Sequence, residues 1–289
     1  MWKRRRRTLD AHWATFRRNR PGIVGLVLLS FMLAVAIVGP LIIPAQQLDP
    51  ATADGPILAG PSLAYPLGTD NFGRPLLGLI VAGARVSLVV GLTAAVGAIL
   101  IGSVVGIASG FLGQKVDTVL NFLINWFLVI PWIALAIVLA SLLGPSLFSI
   151  TVVIAVTSWP FTARLVRAQV LSVKERPFVE RARAMGAGRW HTAAHHILPN
   201  VTSVIFANAV LTVAYAILAQ IGLALVGLGD PNSISWGGTI EEAFEAGALT
   251  AGYWWWIVPP GLAVVFTTLS ITMCGYALDE ILNPQLRDR

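Results

Sequence analysis

The stretch VSLVVGLTAAVGAILIGSVVGIASGFL, from Val86 to Leu112, contains no charged side chain. It exceeds the roughly 20 residues that an α-helix needs to cross a bilayer, so it reads as a membrane span. Ala94, Ala98, Gly102, Gly106 and Gly110 recur at every fourth position within it and therefore share one helix face. Lipid gives two helices no hydrophobic reason to associate, and close backbone approach across small residues supplies van der Waals contact instead. Ala98, Gly102, Gly106 and Gly110 are thus candidate packing positions of a central helix.

Five more apolar runs flank this one: Gly22 to Ile43, Thr118 to Leu143, Leu147 to about Ala163, about Val201 to Leu228, and about Tyr253 to Tyr276. The first follows a basic start, as a signal peptide would, but it is longer than the roughly 7–15 residues of a cleavable apolar core. It reads as a retained span. Pro131 and Pro160 interrupt the third and fourth runs and are expected to kink them. Composition agrees with an all-α polytopic membrane protein, since 56% of the 289 residues are hydrophobic and only 12% are charged, about half the usual share in soluble domains. A soluble enzyme and a disordered chain are both excluded on these numbers. The single cysteine, Cys274, allows no internal disulfide.

The formal charge of +6 could suggest nucleic acid, but the basic residues are clustered between apolar runs. With the N-terminus in the cytoplasm, the inner segments hold 18 of the 20 lysines and arginines, leaving Arg74 and Arg85 outside. The outer loops carry Asp49, Asp54, Asp70, Asp230, Glu241, Glu242 and Glu245. The positive-inside rule then places both termini in the cytoplasm. The expected organisation is a basic tail over residues 1–21 and one six-span unit over 22–289, with a long inner loop at about 169–200.

Several chemistries fail on residue inventory. His191 and His195 are four apart, as zinc ligands on a helix can be, but Thr192 stands where a zinc protease needs glutamate, and the ligand set is incomplete. A partner-facing histidine cluster with His196 is the preferred reading. Gly227-Leu228-Gly229-Asp230 matches an intramembrane aspartyl protease signature, but no span supplies the second carboxylate that this chemistry requires. No lysine sits in a phosphate-binding loop. The chain is therefore not expected to be an enzyme, nor to bind a metal or cofactor.

The loop between the fourth and fifth runs is more informative. A helix is expected after Pro177; Gly186 and Gly188 offer the positive-φ turn that ends it, and a second helix is expected to stop at Pro199. A DNA-binding helix-turn-helix has this outline, but both ends here join membrane spans, so a docking surface for a cytoplasmic protein is the better reading. Glu180, Ala182, Gly186, Leu198 and Pro199 also match a known pattern: Glu-Ala-Ala, three residues, Gly, then a spacer ending near Leu-Pro. Through them the chain resembles the permeases of bacterial ATP-binding-cassette importers, in the oligopeptide, dipeptide and nickel group. Arg181 replaces the first alanine of that pattern, and Ile197 adjoins Leu198 directly.

Other stretches resemble the second permease subunit of that group, the dipeptide permease C type. They are Gly68, Thr69 and Asp70 with Gly73 and Arg74, and Asp230 followed by Trp236 and Gly237. Tyr65 and Pro75 stand where that motif usually has histidine and aspartate. Asn283-Pro284 and Leu286-Arg287 resemble the group's C-terminus more loosely. The resemblance implies a subunit of the bacterial plasma membrane that pairs with a second, paralogous permease. Two cytoplasmic ATPases would use ATP and magnesium, and an external binding protein would deliver di- or oligopeptides, nickel or another small solute. The competing class is a passive channel or a membrane scaffold, but a channel should line its pore with polar or charged rings, and the spans show almost none.

Overall fold

In the computed structural model, residues 16–282 are described, and every regular element among them is helical. The basic residues before Arg17 and the motif residues after Leu282 lie outside the described residues. Helix α1 spans Arg20–Ile42, α2 Leu76–Phe111, α3 Gln114–Val129, α4 Trp132–Leu143 and α5 Leu147–Lys174. The short α6, Pro177–Ala184, and α7, Arg189–Thr192, follow. Then come α8, Leu198–Leu223, α9, Trp236–Glu245, and α10, Trp254–Leu282.

Helices α1, α2, α5, α8 and α10 are each long and apolar enough to cross a membrane. The expected third span departs from the reading as one helix: α3 and α4 meet at Pro131 with a bend of 92°. The described residues hold six candidate spans when this broken pair is counted as one. Pro131 lacks the N–H that would continue α3 and disfavours helical geometry at Ile130, which is extended at φ −72°, ψ 128°. Helix α5, by contrast, continues through Pro160 without a break.

Two helices overrun their expected bounds. Helix α2 begins ten residues before Val86, so Arg85 lies on a helix and not in a loop. At 1.5 Å per residue its 36 residues reach about 54 Å, far more than a bilayer core of about 30 Å. Its first turns are therefore buried in loop structure, with Leu76 and Leu79 packed among Leu48, Ala243, Ala248 and Trp256. Helix α5 likewise runs eleven residues past Ala163, to Lys174, and carries Arg164 and Arg167 on that extension.

The bundle is built around α2. Its main partner is α5, and α8 also lies against it, while α10 packs on α1 and α8. Along the α2 stripe Ala98, Gly102, Gly106 and Gly110 are buried. A Cβ on Gly106 would stand 2.6 Å from the Ala163 carbonyl oxygen, and one on Gly102 would stand 2.6 Å from Thr162 Cβ and 2.7 Å from the Trp159 carbonyl oxygen. The bundle has two ends of opposite character: a basic end formed by α6 and α7, and an acidic end formed by the loops around α9.

Candidate functional site

At the basic end, Pro177 opens α6 at a position where its missing N–H costs nothing. The helix closes two turns later on a Schellman motif. Gly186 N–H donates to Arg183 O at 2.9 Å and Ala187 N–H to Ala182 O at 3.0 Å, while Gly186 has φ +88°. Val179 and Ala182 are buried, and Val179 joins Phe111, Val166, Val170, Val173, Ile197 and Val201 in one apolar cluster. The short helix is thereby seated on the ends of α2, α5 and α8. The Arg183 guanidinium adds a contact over the Phe111 ring at 5.6 Å.

The opposite face of this unit is bare. Glu180 lies in the first turn of α6 and is exposed, as are Arg181 and Gly186. Met185 and Trp190 are 83% and 81% exposed. They sit on the short helices and turns of the basic end, beside the exposed Arg181 and Gly186. Trp, Met and Arg are the residues enriched at protein interfaces. Sequence reasoning did not single out Met185 or Trp190; the available signal was two large apolar side chains in an otherwise basic loop. The His191 and His195 rings stack at 4.3 Å on the same surface, with His196 at 5.9 Å from His191.

The segment after α7 differs from the expectation. No helix stops at Pro199: α7 passes through a π-helical turn, Ala193–Ile197, into α8, where Pro199 is the second residue. Proline is tolerated in a first turn because its absent N–H needs no partner there, and Leu198 N–H instead reaches back to Ala193 O. Leu198 and Pro199 are exposed at this junction.

One further contact ties the basic end together. Arg167 on α5 makes paired bonds of 2.6 and 2.7 Å to Asp117 in the first turn of α3, which also accepts from Ser109 on α2 at 2.6 Å. Neither Asp117 nor Arg167 was singled out in the sequence, where they stand fifty residues apart.

At the acidic end the expected motif residues converge on α9. Asp70 is fully buried and accepts from Phe72 N–H at 2.9 Å, Arg74 N–H at 2.8 Å and Arg74 Nε at 2.5 Å. Arg74 also bonds Glu242 of α9. Thr69 is buried, donating to Pro56 O and accepting from Ala59 N–H. Gly68 and Gly73 both have φ +78°, and a Cβ at Gly68 would stand 2.5 Å from Ala59 O. Trp236 is fully buried, with Nε1 donating to Ile80 O of α2 at 2.8 Å. A Cβ at Gly237 would lie 2.9 Å from that of Ala224. Asp230 accepts from Asn232 N–H at 2.9 Å and from Leu147 N–H, at the start of α5, at 3.2 Å. It is thus a loop and helix-end anchor.

Helix α9 itself was not foreseen. Its signals are the Ser235 N-cap, which accepts from Gly238 N–H at 3.1 Å, and the apolar face of Trp236, Ile240 and Ala243. Beside it an open cavity of about 560 Å³ is lined by Asp49, Asp230, Glu241, Glu242 and Glu245, with Arg74 the one cation among the described residues. Desolvation, then Glu245 and Glu242, push the Glu241 carboxyl above its ordinary pKa. Desolvation also raises Glu242, against the opposing pull of Arg74.

Comparison with known proteins places this geometry. Residues 98–288 match the family model described as the binding-protein-dependent transport system inner membrane component, and residues 9–61 match the N-terminal transmembrane domain of oligopeptide transport permease C. The chain is 33% identical to the dipeptide transport system permease protein DppC of Alkalihalophilus pseudofirmus, over 94% of this chain and 88% of that protein. A putative peptide permease of Brucella suis is 35% identical over 93% of this chain and 89% of its own length. A chain of the MetNI methionine ABC transporter, solved in inward-facing conformations, aligns over 73% of this chain and 98% of its own with a TM-score of 0.57. At 21% identity that match speaks for the fold alone.

Proposed function

Because the chain belongs to the family of binding-protein-dependent transport system inner membrane components, as a non-catalytic permease of the peptide C-type group, we propose that it forms a translocation path for di- or oligopeptides together with a second, paralogous permease. The observation that carries this reading is the likeness to a dipeptide permease across 94% of the chain. Two cytoplasmic ATPases, using ATP and magnesium, dock on the basic end, and an external binding protein delivers peptide to the acidic end. Both termini then lie in the cytoplasm, since the clustered arginines of α5 to α7 stay on the inner side.

Glu180, Ala182 and Gly186 set the docking helix, Met185 and Trp190 supply its apolar contacts, and Leu198 and Pro199 join it to α8. ATP binding closes the ATPases, moves α6, and through its apolar seat shifts the ends of α2, α5 and α8. The shift is possible only if the ATP-bound partners have higher affinity for one arrangement of the bundle than for the other.

The test is reconstitution in proteoliposomes with the second permease, the ATPases and the binding protein. Dipeptide uptake coupled to ATP hydrolysis is the expected result, with no hydrolysis by this chain alone. A complete assembly that hydrolyses ATP yet takes up no peptide would refute the peptide reading.

A further inference from the structure

A second cavity, of about 520 Å³, opens where α3 breaks at Pro131, against α5 and α8. Its volume is in the range that small-molecule sites occupy. Its polar lining comes from α5, with Thr157, Ser158 and Thr162, and from α8, with Asn208, Thr212 and Tyr215. Thr157 to Thr162 lie 10 to 15 residues from the start of α5, about 15–22 Å along its axis. Asn208 lies ten residues, about 15 Å, from the start of α8 at the other end of the bundle. In a hydrocarbon core about 30 Å thick, the polar lining is therefore central.

Two independent features mark this place. Irregular backbone at membrane depth survives only where protein buries it or where it lines a cavity, and in secondary transporters such broken helices form the solute site. The break at Pro131 lies on the cavity wall, and no capping bond closes the end of α3 at Ile130. Its last carbonyls therefore lack helical partners.

The second feature is the Asn208 amide, 94% buried. Its Nδ2 donates to Thr162 Oγ1 at 3.0 Å and to Thr212 Oγ1 at 3.3 Å, while Thr212 spends its own hydrogen on Asn208 O at 2.8 Å. The spent Thr212 hydrogen fixes the amide orientation, because Thr212 Oγ1 can then only accept. Both amide hydrogens are used, and Oδ1 makes no bond among the described residues. Ser158 Oγ is likewise buried and unpartnered. The walls add Trp132 and Tyr215, edge to face at 5.8 Å, and among the described residues no lysine, arginine, aspartate or glutamate.

We propose that this cavity is a solute-binding position of the translocation path, where Asn208 Oδ1 accepts a hydrogen bond from a peptide-bond N–H of the passing solute. A fixed acceptor without local charge suits the neutral amide common to all peptides, and leaves side-chain charge unread. The proposal rests on the reading of the chain as a peptide permease.

The experiment uses the complete reconstituted transporter and two tripeptides, one of them N-methylated at its second peptide bond, each at a concentration that saturates the binding protein. The readout is the ratio of their uptake rates, compared between wild type and variants so that the binding protein's own preference cancels. Wild type should exceed Asn208→Leu in this ratio by about fivefold, the order expected of one net hydrogen bond. Association with the second permease should be unchanged. Asn208→Asp, which is isosteric and keeps an acceptor oxygen, should restore the preference. Thr212→Val, which frees the amide but keeps its acceptor, should lower it partially. An unchanged ratio in Asn208→Leu overturns the proposal. So does loss of permease pairing in Asn208→Leu with full preference in Thr212→Val, which would make the cavity a subunit interface. If wild type hydrolyses ATP but takes up neither peptide, the peptide reading has failed, and this proposal falls with it.

Discussion

Substitution of Gly186 isolates the docking helix from the rest of the bundle. At φ +88° a residue with a Cβ costs about 1–2 kcal/mol, and no atom lies within 4 Å of the Cβ position, so the penalty is purely one of backbone. The alternative, returning to negative φ, sacrifices the two bonds that close α6, each worth about 0.5–1.5 kcal/mol net. The chain takes the cheaper route, so the ratio of seated to unseated helix shifts by about five- to thirtyfold. Uptake and peptide-stimulated ATP hydrolysis should fall in that range for Gly186→Val, less for Gly186→Ala, and least for Gly186→Asn, because asparagine tolerates the left-handed region. Gly188 is the internal control. It also faces open space, but its φ of −64° suits any L-residue, so Gly188→Ala should transport normally. The assay is uptake, ATP hydrolysis and subunit association in reconstituted complexes with all variants inserted equally. Full transport by Gly186→Val with the ATPases bound, or equal damage from Gly188→Ala, would refute the reasoning.

Cysteines placed at Ser62 and Ser233 should react with an impermeant thiol reagent in intact cells, whereas one at Ser172 should not; the reverse pattern would overturn the orientation. The pH dependence of the acidic end follows from Glu241, whose raised pKa means that the folded state binds its proton more readily than the unfolded state. Its contribution to stability is present below the ordinary carboxylate pKa and is lost as pH rises through the raised value. Glu241→Gln should therefore melt above wild type at about pH 7 and match it at about pH 4; an equal difference at both would show that the carboxylate is not the cause.

The spans were legible because bilayer thickness fixes their length, and an uncharged run such as Val86 to Leu112 needs no knowledge of its neighbours. Features set by tertiary contact were not. The angle at Pro131 depends on what α3 and α4 pack against, and proline alone forecasts only a disturbance. The sequence places Pro199 correctly as a boundary but gives it the wrong sense, because a π-turn before it lets one helix run into the next. Gly68 and Gly73 are readable as parts of a motif, yet the reason for glycine is the approach of Ala59 and Gly55 from an earlier loop. Helix α9 has only ten residues, too few for a span search to register, and its amphipathic face shows only once a helix is assumed there.

A single helix links the two halves of the proposed mechanism. Helix α5 carries Val166, Val170 and Val173 under the docking helix and Thr157, Ser158 and Thr162 on the mid-depth cavity, and it lies along the small-residue face of α2. At Gly102 and Gly106 the two backbones approach too closely to admit even a Cβ, and this continuous contact favours movement of α2 and α5 together. Arg167 then clamps α5 to the first turn of α3, whose other end is the break at Pro131. Motion of α6 thus has two routes to the same cavity, one along α5 to its hydroxyls and one along α3 to the break at Pro131. Helices α3 and α4 both pack on α5, so on this reading the 92° break lets each half of the broken span follow α5 on its own side of Pro131, and the cavity changes shape without any span unfolding.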